Sequence, residues 1–169
     1  MKVEVNKDVF SEAVSFAVKL LPQRTTLPIL SGVLISAEDN AVTISSFDYE
    51  VSAKTRVDAA VDTAGQVLVS GRLLAEIASR LPDDVVNLQL SGSSLSVKSG
   101  SAKFSLATMP IEEYPNLPEV EGIAGSIAGD EFASAVSQVA TAASRDDVTP
   151  VITGVLLDIT ASSLTMMAT

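Results

Sequence analysis

Three blocks of this chain recur at one fixed separation. DVFSEAVS (Asp8–Ser15) returns as DEFASAVS (Asp130–Ser137), PILSGVLI (Pro28–Ile35) as PVITGVLL (Pro150–Leu157), and VTI (Val42–Ile44) as LTM (Leu164–Met166). The starts of the paired blocks, 8 and 130, 28 and 150, 42 and 164, all differ by 122. A helix-like segment, a proline, a glycine and an apolar run keep register together without a gap, which a general likeness of composition does not produce. The period is that of a whole domain rather than of a solenoid repeat. The expected organisation is therefore one domain over residues 1–121 and the N-terminal part of a second copy over residues 122–169. A piece of roughly 50 residues is at the margin of what folds alone. The sequence thus reads as a fragment in which residues 122–169 either pack against something or are poorly ordered.

Within the first copy a smaller order repeats. Lys2–Asn6 alternates as a strand. Phe10, Ala13, Val14, Ala17, Val18 and Leu21 then follow helical spacing over Asp8–Leu21, and Pro22 stops that helix. Leu30–Ser36, Val42–Ser45 and Val51–Val57 read as strands, with a turn at Glu38-Asp39-Asn40. The order then starts again. Gln66–Val69 is a strand, and Ser70 is a candidate N-cap. The next helix carries Leu73, Leu74, Ile77, Ala78 and Leu81 before Pro82. Val85–Leu90, Leu95–Lys98 and Ala102–Leu106 are strands parted by serine–glycine turns. This is a βαβββ unit written twice, an α+β fold. About ten strands to two helices predict sheets on one side and helices gathered on the other. Thr108–Pro118, TMPIEEYPNLP, predicts an extended connector.

The chemistry available is narrow. The chain has no cysteine, histidine or tryptophan, so the usual bases, nucleophiles and soft metal ligands are missing. Carboxylate pairs stand at Asp83-Asp84, Glu112-Glu113 and Asp146-Asp147, but neighbours in a strand point to opposite faces and such pairs seldom make one acid–base site. No phosphate-binding or dinucleotide fingerprint is present. No catalytic residue, metal site or cofactor is assigned. No apolar run approaches the ~20 residues that span a bilayer, and MKVEVNKDVF is not the apolar stretch of a signal peptide. The expectation is a cytoplasmic protein without a membrane partner. A net charge of −10 is unlike a nucleic-acid binder on average, yet a few basic residues on one concave face under an acidic exterior would give the same sum.

Particular stretches carry a resemblance. MKVEVNKDVF, TLPILSGVLI, the turn Ser46-Phe47-Asp48-Tyr49-Glu50, VLVSGRLLAEIASRLP (Val67–Pro82) and SGSAKFSLATMPIEEYPNLP (Ser99–Pro118) resemble the opening of bacterial DNA sliding clamps, the beta subunit of DNA polymerase III. The resemblance implies a DNA-clamp fold, with antiparallel sheets outside and helices inside a ring of two subunits, each holding three copies of the domain. It implies a non-catalytic processivity factor that encircles duplex DNA and tethers the replicative polymerase. The clamp loader and other clamp-binding proteins would be further partners, and the full-length protein would be a homodimer. Arg24 and Arg72 match DNA-touching positions, and Arg145 holds the equivalent region of the second copy beside Asp146-Asp147. Ile152 and Thr169 match part of the wall of a pocket for partner peptides. Ile77, Leu81, Lys103, Phe104 and Leu106 match the surface where subunits meet. Read without the resemblance, the arginines are solvated helix-end charges, and Ile77, Leu81 and Phe104 are ordinary core. The competing functions are a β-rich repeat binding module and a carboxylate metal-dependent nuclease.

Overall fold

Asn6 joins the first strand to the first helix. Strand β1 (Lys2–Asn6) passes directly into helix α1 (Lys7–Lys19), and the Asn6 side-chain oxygen accepts from the Asp8 and Val9 N–H groups at 3.0 and 3.3 Å. That satisfies two donors that have no partner within the helix. Phe10, Ala13, Val14 and Ala17 are buried, as their spacing predicts. The helix stops two residues before the expected Leu21. There the backbone tightens, with the Leu21 N–H donating to the Val18 carbonyl at 3.1 Å, and the Leu21 side chain still reaches the core.

The computed structural model describes residues 1–22, 27–117, 125–146 and 148–169. The chain divides into two units, Met1–Glu119 and Val120–Thr169. The boundary expected at 121/122 lies outside the described residues.

Unit 1 continues through a 3-10 turn at Pro28–Ser31, then β2 (Gly32–Glu38), β3 (Ala41–Phe47), β4 (Ser52–Thr63), β5 (Gly65–Ser70), α2 (Gly71–Ala78), β6 (Val85–Ser91), β7 (Ser94–Ser99) and β8 (Ala102–Met109). Four expectations need correction. The second helix, expected to carry Leu81, ends at Ala78, and Leu81 lies beyond it. The strand expected from Leu30 begins only at Gly32, because Pro28 opens a turn that the Ser31 hydroxyl closes by donating to the Pro28 carbonyl at 2.6 Å. Ser70 occupies the N-cap position of α2, but its side chain makes no capping hydrogen bond. The strand expected to end at Val57 runs on to Thr63. Its second half, Asp58-Ala59-Ala60-Val61-Asp62, has little β propensity of its own and is held by pairing.

That pairing shows how the sheets meet. Residues 52–58 of β4 pair with β3, and residues 59–63 pair with β1. In the same way β8 pairs with β7 over residues 102–107 and with β5 at Thr108 and Met109. Both strands pass from one sheet to the other, and the eight strands form the closed circuit β1-β4-β3-β2-β5-β8-β7-β6. Every pairing in it is antiparallel. Exchanging β1–β4 for β5–β8 leaves this order unchanged, so the two βαβββ halves are related by a pseudo-twofold. Both sheets and both helices share one core. At its centre Gly71 opens α2 against the end of α1. A Cβ there would lie 2.5 Å from Leu21 Cδ1 and 2.6 Å from Val33 Cγ2, so only glycine lets α2 begin so close.

The proline-rich connector is less extended than expected. Thr108 and Met109 belong to β8, and Ile111–Glu113 forms a 3-10 turn. Tyr114 then fastens it to unit 1. Its hydroxyl accepts from the Phe47 N–H at 3.0 Å and donates to the Gly32 carbonyl at 3.4 Å.

Unit 2 holds α3 (Gly129–Val139), a 3-10 turn at Pro150–Ile152, and the antiparallel pair β9 (Leu156–Ile159) and β10 (Leu164–Met167). These are the counterparts, 122 residues on, of α1, the Pro28 turn, β2 and β3. None of the residues of these elements is buried.

Burial, chiefly, pushes the Tyr114 phenol above its ordinary pKa, with Asp48 adding and the Phe47 N–H opposing. The folded state therefore holds the phenolic proton more tightly than the unfolded one. This stabilisation is complete below the ordinary tyrosine pKa of about 10 and is lost as pH rises through the higher folded value. Tyr114→Phe is expected to cost about 1–3 kcal/mol at neutral pH, since the Phe47 N–H loses its partner. Urea titrations at rising pH should also show a shallower alkaline loss of stability in the variant.

Candidate nucleic-acid interface

The basic residues of unit 1 are unevenly committed. Lys2 pairs with Asp62 at 2.7 Å on the surface; this hydrogen bond holds its ammonium above the usual lysine pKa. Lys7 lies between Asp8 and Asp84, at 3.5 and 3.9 Å. Arg56 reaches the Asp39 carbonyl at 3.3 Å. Arg72 lies in the first turn of α2, and its Nη2 donates to the Pro22 carbonyl at 3.1 Å. That bond ties the start of α2 to the segment leaving α1, which runs on to Arg24; Arg24 itself lies outside the described residues. Lys19, in the last turn of α1, is exposed at this same end of the helix pair.

Among the described residues the exposed charges of the two helices cancel. Asp8, Glu12 and Glu76 stand against Lys19, Arg72 and Arg80, the last just past α2. Their placement is polar. Asp8 and Glu12 occupy the start of α1, while Lys19 and Arg72 gather where α1 ends and α2 begins. Val9, Phe16, Leu20 and Leu73 are exposed among them, with Ser15 and Ser79. Such a surface offers a shallow attraction for phosphate at one end and no row of base-reading side chains.

The five candidate seam residues divide by burial. Ile77, Leu81 and Leu106 are buried within unit 1 itself. Phe104 packs partly against the core, and Lys103 is exposed. What β8 presents outward is its backbone, since residues 102–107 have β7 on one side and no second ladder partner among the described residues. Residues 52–58 of β4 are open in the same way. There Lys54 and Arg56 project together, both exposed. In the sequence the signal for this pair is their spacing of two within a strand.

In unit 2, Arg145 is exposed beside Asp146, whose N–H is held by the Ser144 hydroxyl at 3.1 Å. Ile152 sits half-buried in the 3-10 turn, and Thr169 is exposed. Among the described residues, no three carboxylates stand close enough to hold a metal ion, and no helix is long and apolar enough to cross a membrane.

Residues 1–118 match the family described as DNA polymerase III beta subunit, N-terminal domain. The chain belongs to this family. It is 48% identical over 169 residues to the beta sliding clamp of Streptomyces coelicolor, covering all of this chain and 45% of that protein. It is also 48% identical over 169 residues to the beta sliding clamp of Micrococcus luteus, again with all of this chain and 54% of the relative. The crystal structure of the DNA polymerase III beta subunit from Thermotoga maritima superposes with a TM-score of 0.86 at 28% identity, over 99% of this chain and 47% of that one. The chain therefore spans about half the length of the family members it matches, and its α+β fold of antiparallel sheets with paired helices is theirs.

Burial predicts how two of the seam positions respond in the chain alone. Ile77→Ala should lower its stability to urea by about 2–5 kcal/mol, the cost of emptying a core position. Lys103→Ala should stay within about 0.5 kcal/mol of the parent, as an exposed charge does.

Proposed function

We propose that this chain supplies one segment of a ring-shaped DNA polymerase processivity factor. In that ring α1 and α2 face the duplex and the sheets face outward. The family match over residues 1–118 carries the reading, and two physical features agree with it. First, a clamp has to hold DNA without stopping on it. Phosphate contacts by lysine and arginine give an attraction with no base information, whereas base-edge contacts would arrest sliding. The α1–α2 junction, with Lys19 and Arg72 and with Arg24 next in sequence, suits a weak contact of that kind, and Arg145 is its counterpart in unit 2. Second, the open edges of β4 and β8 can each accept a strand from a neighbouring domain. On the β8 side the backbone of residues 102–107, with Lys103 and Phe104, makes the subunit seam, while Ile77, Leu81 and Leu106 hold the helix and strand beneath it.

The activity is tethering rather than catalysis, and its setting is the cytoplasm. Ile152 and Thr169 contribute one side of a pocket for peptides of the polymerase, clamp loader and other clamp-binding proteins, completed by residues from elsewhere in a full-length clamp.

The test places Arg24→Ala and Arg72→Ala in a clamp of the relatives' full length and measures duplex affinity across salt concentrations. Each lost phosphate contact should reduce the slope of log affinity against log salt by about one, uniformly across DNA sequences. An unchanged slope would remove both arginines from the interface.

A further inference from the structure

Strand β3 carries a hydroxyl where an apolar core residue is due. Side chains of a strand alternate between its faces, so Val42, Ile44 and Ser46 point the same way, into the shared core. Val42 and Ile44 are fully buried, and Ser46 is 1% exposed. A hydroxyl buried there costs stability unless it is hydrogen-bonded. Its Oγ donates to the Ala17 carbonyl in α1 at 2.8 Å.

The sequence explains why that carbonyl is open to it. In a regular helix the carbonyl of residue i takes the N–H of residue i+4. Val18 would take that of residue 22, but Pro22 has none. The Leu21 N–H therefore donates to Val18, at 3.1 Å, rather than to Ala17. Ala17 is fully buried, and Ser46 supplies the donor that its carbonyl has lost.

The second half of unit 1 repeats the device. Its inward positions on β7 are Leu95, Val97 and Ser99, the last also fully buried. Pro82 follows α2, and the Ser99 hydroxyl accepts the Asp83 N–H and donates to the Asp83 carbonyl, both at 3.0 Å. Unit 2 gives the contrast. There, 122 residues on, Ser144 stands in place of Pro22 and Ala168 in place of Ser46. The Val139 carbonyl, counterpart of Ala17, takes the Ala142 N–H at 3.0 Å and needs no serine. The buried serine is present where a proline stops the helix and absent where none does.

We infer that Ser46 is a positioning residue for the basic corner, an inference that rests on the DNA reading proposed above. By holding Ala17 it fixes the tight turn from Leu21 into Pro22. That turn sets the Pro22 carbonyl, to which Arg72 Nη2 donates at 3.1 Å. Ser46 is buried and touches no duplex. It presets Arg72, which without it has to be ordered at the moment of binding.

The test measures the affinity of the 169-residue chain for a short duplex across salt concentrations, beside its stability to urea. Ser46→Ala should weaken binding by about threefold to tenfold, the cost of ordering one long side chain on association, with the parent's salt slope. Arg72→Ala should instead reduce that slope by about one. Ser99→Ala removes the equivalent hydroxyl beyond the other end of α2 and should bind as the parent does. In urea, Ser46→Ala should raise the unfolding equilibrium constant by about tenfold, since a buried carbonyl loses its donor. The rise should be about threefold or less beside Pro22→Ala, which gives Val18 a new donor and returns the Leu21 N–H to Ala17. Ser46→Ala binding like the parent while Arg72→Ala binds more weakly, or Ser99→Ala weakening binding as much as Ser46→Ala, overturns the positioning role. An equal cost of Ser46→Ala with and without Pro22 overturns its hydrogen-bond basis. Unchanged binding by Arg72→Ala removes the DNA reading of the corner, and the positioning role with it, whatever the urea comparison shows.

Discussion

The close approach of α2 to the end of α1 at Gly71 is the contact on which the rest of unit 1 depends. There, hydrogen in place of a side chain lets the first turn of α2 settle against Leu21 and Val33. The two βαβββ halves then share one core instead of forming two thin ones. The hydrophobic area gathered into a single cluster is what gives a unit of this size its stability. The same contact sets the charge distribution. It brings Arg72 to the Pro22 carbonyl and to the end of α1 that carries Lys19. The packing that holds the core together therefore also builds a basic corner on the helix surface.

Much of this was legible in the sequence, because the elements are written in strong periodic signals. The helical spacing of Phe10, Ala13, Val14 and Ala17 stands in the structure as a buried stripe. The fixed offset of 122 stands as the same run of helix, 3-10 turn and hairpin at the start of each unit. What the sequence did not reveal depended on long-range pairing. The second half of β4 is a strand because β1 lies beside it, and nothing local in Asp58-Ala59-Ala60-Val61-Asp62 announces that. The passage of β4 and β8 between sheets is likewise a property of the closed circuit rather than of either segment.

The candidate site was legible in part. Arg72 could be placed at the start of a helix from sequence, but its tie to the segment leaving α1 could not. The seam positions gave the least away, because an isoleucine or leucine at helical spacing looks the same whether it faces a core or a neighbour. Ile77 and Leu81 turn out to be buried within unit 1. Lys54 and Arg56 carry little signal in the sequence, because a lone pair of cations in a strand is usually just a solvated face. They gain interest only once that face adjoins an open sheet edge.

The central claim is that unit 1 meets duplex DNA through the corner where α1 ends and α2 begins. The most direct measurement is a residue-resolved NMR titration of the chain with a short duplex at low salt, repeated at high salt. Resonances of Lys19, Arg72 and their neighbours in the adjoining helix turns should shift in fast exchange, independently of base sequence, and return as salt is raised. Shifts centred on the strands of the outer sheets, or shifts that persist at high salt, would contradict it.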